Sequence, residues 1–203
     1  GRYAASGHLV YVTADGALLS APFDPSRLQL PGPATALAAG VNIRGGGYVH
    51  LALSRTGTLL YLGGAGGNTE SDLVWVSRTG AAQVIDSGAF GTVALSPDGR
   101  RVAVSILGGR EEQLWVRSLP AGPLSKLTFE GTTNNRPTWT ADGRAVTFVS
   151  TRGQNRDLFS QGAEGSTPAR LLLDLPQDVN EAQWSRDGRW LVFRRGNLPA
   201  TDI

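Results

Sequence analysis

Apolar and polar positions alternate along this chain in short stretches, the period of a half-buried β-strand, and each stretch ends in a polar turn closed by glycine. The pattern is written out as VALSPDGRRVAV from Val93, TWTADGRAVTF from Thr138 and QWSRDGRWLVF from Gln183. Looser copies are LALSRTGTLLYL from Leu51 and AASGHLVYV from Ala4. The turn glycines Gly7, Gly57, Gly99, Gly143 and Gly188 are spaced 50, 42, 44 and 45 residues apart. A repeat of roughly 40–50 residues made of short strands predicts a β-propeller, whose blades are four-stranded antiparallel sheets.

The third repeat supplies the template. Residues 91–95 form the first strand, and the Asp98-Gly99 pair provides the positive φ of a tight hairpin. Residues 101–106 form the second strand, 113–117 the third and 124–128 the fourth. In the other repeats, third strands are expected over 18–23, 73–76 and 157–160, and fourth strands over 35–39, 83–86 and 170–173. Trp139 and Trp184 stand four residues before their turn glycines, where Leu53 and Leu95 stand in theirs, and are read as packing between adjacent blades. The expected fold is all-β, a single propeller domain with blades near 1–41, 46–87, 89–129, 133–174 and 178–203. That is about four and a half blades, incomplete at both ends, so copies are expected to assemble as a homo-oligomer, most simply a dimer that completes the propeller.

Composition narrows the classes. The chain has 203 residues, 27 glycines and 11 prolines, as a chain of many short strands and turns requires, and no cysteine or methionine. There is therefore no disulfide frame, no thiolate nucleophile and no zinc–thiolate site. A net charge of +2, with Lys126 the sole lysine and no basic stripe interleaved with aromatics, argues against nucleic acid as a partner. No apolar run approaches the ~18 residues of a membrane helix, so no direct membrane insertion is expected. A start without Met and inside a strand pattern leads to the expectation of a piece excised from a longer protein.

The phrase (W/L)S-x-D-G-R-x-(V/L)-x-(V/F), followed by a strand such as Gln113–Arg117, resembles the TolB-like repeats related to WD-repeat propellers. The resemblance covers nearly the whole chain and is strongest in the third, fourth and fifth repeats. The opening GHLVYVTADGALLSAPFDPSRLQLPGPA looks like the C-terminal propellers of bacterial serine/threonine protein kinases, which implies a sensor or interaction module. The kinase glycine-rich loop and catalytic-loop motifs are absent. Similar repeats precede the catalytic domain of prolyl-oligopeptidase-type peptidases, whose G-x-S-x-G elbow is also missing. The compartment stays open between the bacterial cytoplasm and outside it; the resemblance favours outside, and no segment of the chain itself shows it.

Aligning the repeats exposes one set of candidate residues. Seven positions before the turn glycines stand His50, Thr92, Arg136 and Glu181, and eight before stand Val49, Gly91, Asn135 and Asn180. These are the beginnings of the first strands, which in a propeller line the mouth of the central channel. His50, Asn135, Arg136, Asn180 and Glu181 are thus the expected ligand-binding residues. The first reading is a wet channel serving a non-catalytic module that binds a protein or a small molecule and implies no cofactor. The second is a metal-dependent hydrolase of esters, lactones or phosphotriesters. In it Asn135, Asn180 and Glu181 are oxygen ligands for calcium, and His50 and Glu181 carry the catalysis. His50 can instead extend the ligand set toward zinc or manganese. Calcium-dependent hydrolases of the paraoxonase and gluconolactonase type are similar in outline, although their motifs are not matched here. The glycine-rich segment at residues 63–68 opens no helix and is read as a loop, not a phosphate cradle.

Overall fold

The computed structural model describes residues 1–44, 48–54, 57–63, 70–77 and 80–196. Residues 64–68 of the glycine-rich segment and residues 201–203 lie outside the described residues. All regular structure among the described residues is β, and the chain divides into two compact units, Gly1–Phe90 and Gly91–Ile203.

The first unit holds two four-stranded antiparallel sheets. One runs β1 (Arg2–Ala4), β2 (His8–Val12), β3 (Leu18–Pro22) and β4 (Thr35–Ala38). A short ladder of β5 (Ile43–Arg44) and β6 (Tyr48–Val49) precedes the other. That second sheet joins β7 (Leu51–Leu53), β8 (Leu59–Gly63), β9 (Ser71–Val76) and β10 (Ala82–Gly88). Val10 and Leu18 of the first sheet bury against Leu51, Leu59, Tyr61, Val74 and Val76 of the second.

The second unit begins within β11 (Phe90–Leu95), which forms one sheet in chain order with β12 (Arg101–Gly108), β13 (Glu111–Ser118) and β14 (Leu124–Lys126). The next comprises β15 (Asn134–Trp139), β16 (Ala145–Ser150), β17 (Asp157–Gly162) and β18 (Arg170–Leu173). The hairpin of β19 (Val179–Trp184) and β20 (Leu191–Arg195) follows. The sheets stack: β15 lies on β12 and β13, and β19 lies on β15 and β16. Successive residues of the second strands are buried alike. This is why β12 and β16 read as nearly continuous apolar runs, with Val102, Ala103, Val104, Val146 and Phe148 fully buried. Fourth strands such as β18 are partly exposed and carry a weaker pattern.

The tryptophans join neighbouring sheets, as the repeat alignment anticipates. Trp139 is buried and donates its indole N–H to the Ala94 carbonyl of β11 at 3.0 Å. Trp184 donates to Thr147 Oγ1 of β16, also at 3.0 Å. Arg101 adds a second tie to Trp139, with its guanidinium 4.9 Å from the ring and bonded to the Gly143 carbonyl (2.6 Å) and Glu164 (2.8 Å). Strand limits differ from expectation at a few ends. The strand expected over 124–128 stops at Lys126, because Leu127 and Thr128 leave the ladder and both bond the Leu114 carbonyl.

Candidate functional site

The expected ring residues fall in both units. His50 belongs to the first, half-buried between β6 and β7, with its carbonyl accepting from the Leu62 N–H at 3.2 Å. Thr92, Asn135, Arg136, Asn180 and Glu181 belong to the second; there the first four join one hydrogen-bonded network, and Glu181 follows Asn180 in sequence and pairs with Arg194.

That set is built on stacked sheets. Asn135 and Arg136 lie near the start of β15, where one extra residue interrupts the register between Asn135 and Thr138. A matching irregularity falls between Val179 and Glu181 on β19. Such bulges re-aim the side chains beside them. Arg136 has φ +50, in the left-handed region, and precedes Pro137. For a residue with a Cβ this conformation costs on the order of 1–3 kcal/mol, and surrounding bonds must hold it.

Those bonds run in a fixed direction. Ser105 of β12 gives its hydroxyl proton to Glu112 Oε1 at 2.6 Å and accepts from the Thr92 N–H at 2.7 Å. Thr92 Oγ1 lies 2.8 Å from Ser105 Oγ. Since the Ser105 proton is committed to the carboxylate, the Thr92 hydroxyl donates to Ser105 and keeps its lone pairs for the Arg136 N–H, 3.0 Å away. On its other oxygen, Glu112 accepts from Asn135 Nδ2 at 2.8 Å. The Arg136 guanidinium donates to the Asn180 carbonyl, Asn180 Nδ2 donates to the Gly196 carbonyl, and Glu181 accepts from Arg194 Nε at 3.2 Å. Gly91 makes this approach possible, because a Cβ there would collide with Glu112 Oε1 and Ser105 Oγ.

The alignment of turn glycines found Thr92, Asn135, Arg136, Asn180 and Glu181, but it missed Ser105 and Glu112, which sit on the second and third strands. Ser105 left one trace, as a fully buried polar residue inside the otherwise apolar VAVSI run. Among the described residues, no group of three or more His, Cys, Asp or Glu is arranged to hold a metal ion.

Comparison with known proteins bears on the family. A family model described as "TolB beta propeller domain" matches residues 70–202, more than half of the chain. A Bacillus subtilis (strain 168) protein described as "Uncharacterized peptidase YuxL" is 31% identical over 104 residues, which is 48% of this chain and 16% of that protein. The chain thus spans about a sixth of that relative's length. Among solved structures, putative TolB from Agrobacterium tumefaciens superposes with a TM-score of 0.76 at 17% identity, over 97% of this chain and 68% of that one. TolB from Acinetobacter baumannii gives 0.72 at 21% identity, over 95% and 47%. Likeness at these identities speaks for the fold. Together with the repeat and the four-stranded antiparallel sheets, the family match leads to one conclusion: the chain belongs to the TolB β-propeller domain family.

Proposed function

We propose that this chain is a non-catalytic recognition module that binds a protein segment or a polar small molecule at the starts of β11, β15 and β19. The observation that carries this reading is how the polar groups of the site are used. The Glu112 carboxylate is held by Ser105 and Asn135, and the Glu181 carboxylate by Arg194, so both carboxylates serve to position their neighbours. A strained Arg136 backbone kept in place by Thr92 is the kind of prearranged surface that recognition needs. Asn135 and Arg136 are half-buried and Glu181 is exposed, which offers both signs of charge and an amide to a partner. In this reading the module works outside the cytoplasm, as the resemblance implies, and fractionation of host cells checks that.

The test is a screen of the purified chain against immobilised peptide and oligosaccharide panels, repeated with Arg136→Ala and Asn135→Ala. The expected result is a ligand class whose binding falls at least about tenfold in both variants, as loss of a charged or buried polar contact gives. Binding that both variants retain would remove this site from the function.

A metal-dependent hydrolase is the second reading. It is favoured by the Asn135 and Asn180 amides, which both use their nitrogens as donors and so leave each Oδ1 for ligation. Against it stands the Arg136 guanidinium, a positive charge bonded to the Asn180 carbonyl beside those same donors. Chelator-sensitive turnover of an ester, lactone or phosphotriester, lost in both Asn180→Ala and Glu181→Ala, would establish it over the first reading.

A further inference from the structure

On the sheet of β15–β18, three polar side chains occupy directly opposed positions: Asn134 on β15 faces Ser150 on β16, and Ser150 faces Asp157 on β17. Directly opposed residues project on the same face with Cβ atoms about 4.5–5.5 Å apart. Asn134 and Ser150 are fully buried and Asp157 is 6% exposed. Each nonetheless has a buried oxygen that makes no hydrogen bond: Asn134 Oδ1, Ser150 Oγ and Asp157 Oδ1. The Asn134 amide cannot be turned to hide its oxygen, because its nitrogen donates to Gln113 Oε1 at 2.9 Å and to the Glu130 carbonyl at 2.8 Å. Unmet buried polar atoms are costly singly, and three in one row point to a ligand between them.

We infer that Asn134, Ser150 and Asp157 form a buried site for a hard, oxygen-seeking cation of the calcium class. The three available atoms are all oxygens and one is a carboxylate, the donor chemistry such an ion takes. The local charge favours a cation over a neutral occupant. Burial first, and then the neighbouring carboxylates Asp174 and Asp178, push the Asp157 carboxyl up from its ordinary value, against a backbone hydrogen bond from Leu175 that lowers it. Beside these strands, Arg152 lays its guanidinium over Phe159 and Phe148, 5.0 and 5.9 Å from the rings, and gives one Nη to Glu130 at 3.2 Å, while its buried Nε makes no hydrogen bond. The exposed turn around Gly153 lies directly over Asp157, since a Cβ at Gly153 would come within 2.8 Å of Asp157 Oδ2. The site is separate from the recognition surface, which uses Asn135 and Arg136, so either can fail without the other.

The experiment is calorimetric titration and thermal unfolding of the chelated full chain with 1 mM CaCl2, against NaCl of equal ionic strength. Binding at a hundredfold excess over Kd raises the unfolding midpoint by roughly 5–10 °C in a chain of this size. Asp157→Asn should abolish both the shift and the heat of binding. Gly153→Ala, which keeps every ligand but crowds the carboxylate, should weaken binding at least about tenfold. Exposed Glu111→Gln should change neither. A midpoint that NaCl moves as far as CaCl2, or calcium binding that survives Asp157→Asn, would overturn the inference. So would the absence of any calcium heat in the unmutated chain, which would leave a buried water in the row.

Discussion

At the scale of single residues, the turn phrase S/T-x-D-G is a self-contained hydrogen-bonded unit. Ser96, Thr140 and Ser185 each donate a hydroxyl proton to the aspartate two residues on, at 2.6 Å. Each aspartate accepts from the backbone N–H two residues further, at 3.0–3.1 Å, and the glycine between takes a positive φ. The hydroxyl oxygen accepts in turn from the N–H five residues ahead, closing the hairpin. Thr13 and Asp15 repeat the hydroxyl–carboxylate bond in the β2–β3 turn, a different place in the sheet. The hydroxyl bond is the first cause that holds the Asp15, Asp98, Asp142 and Asp187 carboxyls below their ordinary value. With the folded value depressed, the unfolded chain takes up protons first. Stability is then fully present above the ordinary aspartate value, roughly 4, and is lost as pH falls through the depressed values. Because these groups are largely exposed, solvent screening keeps each contribution small. Ser96→Ala, which removes both bonds at a fully buried hydroxyl, should lower stability by about 1 kcal/mol at neutral pH. In urea titrations it should also flatten the decline below pH 4 relative to the unmutated chain. An unchanged decline would show that the Asp98 turn does not contribute to the acid limit.

Among elements, stacking decides which strand features matter. β15 meets both β12 and β13, so its bulge places the Arg136 N–H against Thr92 and the Asn135 amide against Glu112 at once. The strain at Arg136 separates its two roles experimentally. Arg136→Gly relieves the left-handed backbone and Arg136→Ala does not, while both delete the guanidinium. Arg136→Gly should therefore be more stable than Arg136→Ala by about 1 kcal/mol, with ligand binding lost equally in both. Equal stability of the two in thermal unfolding would mean that the backbone relaxes once the side chain is gone.

For the whole molecule, the propeller family supplies the scaffold, and the proposed reading assigns recognition to the polar groups at the starts of β11, β15 and β19. A propeller scaffold hosts unrelated functions, so the scaffold alone does not choose between recognition and catalysis. Native mass spectrometry before and after chelation reads two expectations in one measurement. Calcium retained at one ion per chain agrees with the buried row on β15–β17. A dimer agrees with the pairing expected from the repeat count, and a monomer at micromolar concentration removes that expectation.

The amino-acid order by itself determined what rests on short-range bonds and periodicity. The S/T-x-D-G turn closes on itself within six residues, so it repeats legibly wherever it occurs, and alternation with burial of second strands marks the sheets between turns. The equivalence of Thr92, Asn135, Arg136, Asn180 and Glu181 was legible for the same reason, since each is counted back from such a turn. Tertiary structure alone decided which of them meet and through what. Ser105 reaches Thr92 across 13 residues, Asn135 reaches Glu112 across 23, and Thr92 holds Arg136 across 44. Asn134, Ser150 and Asp157 form a row only through the register of β15, β16 and β17. Register and sheet stacking are collective properties, and one extra residue in a strand re-aims every side chain beyond it. Local pattern carries no record of that choice.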